Sequence, residues 1–152
     1  MTDTEPRNEL HISRLFDAPR ELVYRAFIEP TQLSQWFGPV GWSVPIETVD
    51  IDPRPGGNYN FTMVNDEDPT QQSPANAKFT EIIENELIVG SEIWDAPGSG
   101  STEMYIRIEL ADEGDKTRVT LRQGPYAPDI LTMAREGWES SFTKLDKVLD
   151  PG

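Results

Sequence analysis

Apolar residues recur with two spacings along this chain. Between residues 42 and 123 the spacing is two. Tyr59, Phe61 and Met63 alternate with Asn58, Asn60 and Thr62, and Met104, Ile106, Ile108 and Leu110 alternate with Glu103, Tyr105, Arg107 and Glu109. Val119 and Leu121 alternate with Arg118, Thr120 and Arg122. Such alternation predicts antiparallel strands with one dry and one wet face. Val44, Ile46, Val49 and Ile51 predict another strand, irregular near Thr48, and Phe79–Glu84 and Leu87–Trp94 predict a pair around a turn at Asn85-Glu86. Pro53–Gly57, Pro97–Gly100 and Asp112–Lys116 carry turn residues, and the acidic stretch 65–76 reads as a long hairpin loop. Leu10, Ile12, Leu15 and Phe16 open the chain as a first strand.

Elsewhere the spacing is helical. Leu22, Val23, Ala26 and Phe27 share a face behind Pro19, with Asp17 or Ala18 as the cap, and Pro30 opens a short second helix carrying Leu33, Trp36 and Phe37. From Pro128 to Leu149 one face holds Ile130, Met133, Ala134, Gly137, Trp138, Ser141, Phe142, Leu145, Val148 and Leu149, and the other is charged. The order predicts an α+β fold. A curved antiparallel sheet of about six or seven strands would surround the long C-terminal helix, with two short helices after the first strand. Residues 1–8 read as a loose terminus and 9–150 as one domain. A helix lying across a strongly curled sheet cannot touch it everywhere, so a pocket is expected between them.

Charge narrows the function. The 152 residues include 27 acidic and 13 basic ones, a formal net charge of −14. Such a chain repels phosphate backbones and anionic membranes, which argues against nucleic-acid binding and membrane docking. There is no Cys, hence no disulfide and no thiolate nucleophile or ligand. The polar start MTDTEPRNEL lacks signal-peptide order and no segment is apolar enough to span a bilayer, so a cytoplasmic location is expected.

Candidate catalytic residues are few. His11 is the sole histidine and reads as structural or surface-exposed rather than as a general base. Asp66-Glu67-Asp68 lacks the spacing of a calcium loop, Gly56-Gly57 lacks the lysine of a phosphate loop, and no GxSxG elbow occurs. Neither metal nor cofactor is called for. Period-two counting puts Glu81 inward with Phe79, and Ser91 inward with Val89 and Ile93, while Trp94 shares the wet face with Glu92. Glu81 is therefore the one acid/base candidate, weighed against a structural carboxylate. The bulky set Trp36, Phe37, Trp42, Tyr59, Phe61, Met63, Phe79, Met104, Ile106, Met133, Trp138 and Phe142 either packs the core or lines a pocket, since rings and Met thioethers suit adaptable apolar sites.

Four segments resemble a known family: Phe16-Asp17-Ala18-Pro19-Arg20-Glu21-Leu22-Val23-Tyr24, Trp36-Phe37-Gly38-Pro39, Asp52-Pro53-Arg54-Pro55-Gly56-Gly57, and Gly137-Trp138-Glu139-Ser140-Ser141-Phe142-Thr143-Lys144-Leu145. In this order they resemble bacterial single-domain members of the activator of heat-shock-protein ATPase homologue group, in the START-like (SRPBCC) superfamily. The likeness runs from about residue 9 to 149 and implies a helix-grip fold around a hydrophobic cavity. Relatives include lipid carriers, polyketide cyclases, co-chaperones and antibiotic-sequestering proteins, so the fold does not name a reaction. The first expectation is a non-enzymatic binder of a small lipid, polyketide or aromatic metabolite. Its acidic rim would favour neutral or cationic ligands over anionic ones. The alternative is a protein-interaction module of co-chaperone type; the likeness covers only one domain, which weighs against direct ATPase activation. A cyclase or hydrolase ranks below both. Either a monomer or a homodimer is compatible with the pattern.

Overall fold

The computed structural model describes residues 9–96, 100–126 and 128–149. Its elements are β1 (Leu10–Phe16), α1 (Arg20–Ile28), α2 (Pro30–Trp36), β2 (Trp42–Ser43), β3 (Asp50–Ile51), β4 (Asn58–Asn65), β5 (Gln72–Ile83), β6 (Leu87–Ala96), β7 (Gly100–Glu113), β8 (Lys116–Gly124) and α3 (Pro128–Leu149). They form one antiparallel sheet in the order β1-β8-β7-β6-β5-β4-β2, with β3 also on β4. Six strands are long and two are two-residue pairings. The sheet curls around α3, so the α+β helix-grip architecture expected from the sequence is the one observed.

The core is where the two spacings meet. Leu10, Ile12 and Phe16 of β1, Ile108 and Leu110 of β7, and Val119 and Leu121 of β8 are buried against Phe142 and Leu145 of α3. The rings of Phe16 and Phe142 meet edge to face at 5.2 Å, and Trp36 lies 6.2 Å from Phe142. At the end of α1 two carbonyls lack helical partners, as every helix end requires. The Trp36 indole donates to the Ala26 carbonyl at 2.8 Å, and the Tyr59 hydroxyl donates to the Phe27 carbonyl at 2.9 Å. Both side chains thus bind α1 to its neighbours while leaving no donor unpaired.

The structure departs from the sequence reading in five places. The α1 cap is Pro19, not Asp17 or Ala18, with no side-chain cap bond, and Leu22 is exposed. The strand expected across Val44–Ile51 is broken: Ile46–Thr48 form one 3-10 turn, in which the Thr48 hydroxyl donates to the Pro45 carbonyl and accepts the Thr62 N–H. The loop after β4 is shorter than 65–76, because β5 begins at Gln72 and pairs with β4 from there. A β-bulge between Phe79 and Glu81 turns Glu81 outward and puts Ile82 inside. One inserted residue reverses the facing of everything beyond it. On β6, whose pairing with β7 is unbroken from Leu87 to Ala96, buried Ile88 and Gly90 share the inner face with Glu92, the opposite parity to the expected Val89, Ser91 and Ile93, and Ile93 is 63% exposed. The expected turn at Pro97–Gly100 falls largely outside the described residues.

One glycine is dictated by close approach. A Cβ at Gly57 would stand 2.1 Å from the Asp52 carbonyl oxygen, so the turn before β4 closes only with glycine there. Its neighbour Gly56 donates its N–H to the Phe79 carbonyl, and Phe79 returns a bond to the Gly57 carbonyl, fixing that turn to β5.

Candidate ligand cavity

The two halves of α3 differ in what they present to the sheet. Its C-terminal half carries Phe142 and Leu145, which fill the space beneath it. Its N-terminal half carries Ala134, Gly137 and Ser141 at positions i, i+3 and i+7, one face of small residues. Small side chains cannot reach the concave sheet, and a hollow of about 460 Å³ remains. A Cβ placed on Gly137 would meet nothing within 4 Å. The volume lies in the range of sites that accept small organic ligands.

The wall is largely apolar. Tyr59, Phe61 and Met63 of β4, Ala75 and Ala77 of β5, Met104 and Ile106 of β7, and Ile130, Met133 and Trp138 of α3 line it, with Phe37 after α2. Eight of the twelve sequence candidates are therefore brought together: Phe37, Tyr59, Phe61, Met63, Met104, Ile106, Met133 and Trp138. The other four stand outside the lining. Trp36, Phe79 and Phe142 are fully enclosed packing residues, Phe79 stacked on Tyr59 at 4.7 Å. Trp42 is half-buried on β2, where its carbonyl accepts the Lys144 ammonium at 3.0 Å. Hydropathy cannot separate these groups, because both walls and fillers of an apolar interior use the same side chains. Met133, 65% exposed, hangs at the mouth.

The family described as activator of Hsp90 ATPase homolog 1-like protein matches residues 17–150. The chain belongs to this family. Its fold is shared with a crystal structure from Chromobacterium violaceum at 25% identity and a TM-score of 0.84, covering 95% of this chain and 99% of that one. A second, from Nitrosomonas europaea, is 26% identical with a TM-score of 0.78, covering 97% of this chain and 96% of the other. A crystal structure named as the AHSA1 protein from Silicibacter pomeroyi is 24% identical with a TM-score of 0.76, covering 91% of this chain and 95% of that one. No curated protein matches.

Polar groups in the wall of this AHSA1-like domain are mostly committed to each other. The Trp138 indole donates to Gln123 Oε1 at 2.8 Å, which fixes the ring against the hollow. The Ser141 hydroxyl donates to the Gly137 carbonyl at 2.9 Å, which uses its one donor and leaves it an acceptor. Tyr105 and Tyr126 are held neutral: burial pushes each phenol up to about 12, aided at Tyr105 by its bond to Glu9 and at Tyr126 by the charge of Glu92. Glu92 is the one charged side chain among the described lining residues.

No nucleophile and base meet among the described lining residues. Glu81, the acid/base candidate, is exposed on the outer face and lies outside the lining. His11 is exposed on β1, where its carbonyl accepts a bond from Arg135. In the 66–68 loop, Asn65 Oδ1 accepts the N–H groups of Glu67 and Asp68, and Asp68 Oδ1 accepts from Thr70. Among the described residues no cluster of three His, Cys, Asp or Glu side chains could hold a metal. No described helix is long and apolar enough to cross a membrane. Sequence reasoning missed Glu92 and the β5 wall, Ser73 to Ala77. Alternation of Ala75, Ala77 and Phe79 was the available signal for β5, and for Glu92 it was its phase with Ile88 and Gly90 on β6.

Proposed function

We propose that this domain binds a small hydrophobic molecule, such as a lipid, polyketide or aromatic metabolite, in the hollow between sheet and α3, without transforming it. The observation that carries this is the hollow itself, about 460 Å³ and walled by rings, Met side chains and small residues. Burying about 300 Å² of apolar ligand surface is worth about 7.5 kcal/mol gross at about 25 cal/mol per Å². Walls already built into strands and a helix keep the ordering cost low. Such binding needs no catalytic group. The family's known diversity leaves a protein-interaction role as the alternative, and no described surface favours it.

The test is a titration with neutral apolar compounds, decanol and naphthalene among them, read by tryptophan fluorescence, since Trp138 forms part of the wall. Saturable one-to-one binding is expected, and Gly137→Leu, which projects a side chain into the hollow, should abolish it while the circular dichroism stays unchanged. Absence of saturable binding across the panel, or a G137L protein that binds as well as the parent, would overturn the reading.

A further inference from the structure

The sheet is incomplete along one line, and a carboxylate stands at the break. The ladder between β5 and β6 runs from Ile83–Leu87 to Lys78–Ser91 and stops. Beyond it, the Asn76 N–H donates not to a strand carbonyl but to Glu92 Oε2, at 2.7 Å. Glu92 is paired across β6 and β7 with Met104, a buried lining residue, so both side chains rise on the inner face. One bond to Asn76 anchors the carboxylate and occupies one of its roughly four acceptor positions.

Resting on the binding reading above, we propose that Glu92 selects the ligand: the hollow takes an amphiphile whose apolar body lies against Phe61, Met63 and Trp138 and whose polar end is a cation or strong hydrogen-bond donor, best a primary ammonium. The described lining contains no Lys, Arg or His, so the wall itself supplies no counter-charge. The nearby phenols are neutral, and the field of Glu92 is felt at Tyr126. A half-buried carboxylate in a largely apolar wall is stabilised by a cation and penalises an anion. The apolar wall and the single charge together give the site two ends, which is the shape of an alkylammonium and not of a fatty acid.

The experiment compares decylammonium, decanol and decanoate by calorimetry on the parent protein, Glu92→Gln, Glu92→Asp and Glu86→Gln. Gln keeps the acceptor for Asn76 while removing the charge, and Glu86, exposed in the β5–β6 turn, controls for the overall negative charge. The parent should prefer decylammonium to decanoate by at least about tenfold, the strength of a charge-assisted hydrogen bond. E92Q should lose most of that preference, while E92D and E86Q retain it. Decanol binding accompanied by no preference in the parent, or by an equal preference in E92Q, would overturn the role of Glu92 and leave the hydrophobic site standing. An equal loss in E86Q would assign the preference to overall charge and overturn it too. Failure of all three probes to bind the parent would sink both readings. Should E92Q not fold, Glu92→Ala takes its place: loss of the preference supports the role of Glu92, and an equal preference overturns it.

Discussion

Replacing Tyr59 by Phe removes one oxygen and nothing else. The ring would still stack on Phe79 at 4.7 Å and still face the hollow. What disappears is the 2.9 Å hydrogen bond to the Phe27 carbonyl in the last turn of α1. That carbonyl has no other described partner; Tyr59 is 4% exposed and Phe27 not at all, so water does not take the hydroxyl's place. A buried acceptor left unpaired costs about 1–3 kcal/mol, and the lost volume is too small to add a cavity term. Burial also drives the Tyr59 phenol well above its ordinary range, so the hydroxyl stays a donor at every pH at which the fold is assayed. We expect Y59F to lose about 2 kcal/mol. For a domain of this size that is a fall of about 4–8 °C in Tm. Urea unfolding followed by circular dichroism should show a lower midpoint with an unchanged slope. Affinity for apolar ligands should stay within about twofold, because the hydroxyl points into α1 and away from the site. A loss below about 0.5 kcal/mol would refute the claim that this bond closes the helix end.

Gly137→Ala should stabilise the protein by about 0.5–1 kcal/mol, since a mid-helix glycine is costly and its Cβ meets only open space; thermal melts decide it. Phe142→Ala should cost about 3–5 kcal/mol by denaturant unfolding, because the ring is fully buried against Phe16, Trp36 and Trp138, and it should do so although Phe142 is no part of the cavity wall. The Arg118 guanidinium hydrogen-bonds Glu113 and holds its carboxyl below the usual carboxylate range. A depressed folded pKa gives stability that is present above the unfolded value near 4.5 and is lost as acidification reaches the folded one. Arg118→Gln should therefore move the Glu113 titration upward by NMR; an unchanged titration would show that the ion pair does not form in solution.

The sequence by itself determined the elements and their class. Period-two alternation in β4, β7 and β8 and the face from Ile130 to Leu149 require a sheet with one dry side and a helix to cover it, because no other pairing removes both apolar surfaces from water. The small residues Ala134, Gly137 and Ser141 even record that the cover stands off at one end. Tertiary structure alone decided which bulky residues fill and which enclose: Trp36, Phe79 and Phe142 are as apolar as Phe61 and Trp138, and only the curl of the sheet assigns them. It also decided the facing of Glu81 and Glu92. A bulge after Phe79 sends Glu81 to solvent, and the unbroken ladder of β6 with β7 sets Glu92 beside Met104 at the hollow. Alternation carries no mark of an inserted residue, whereas the ladder between two strands counts every one.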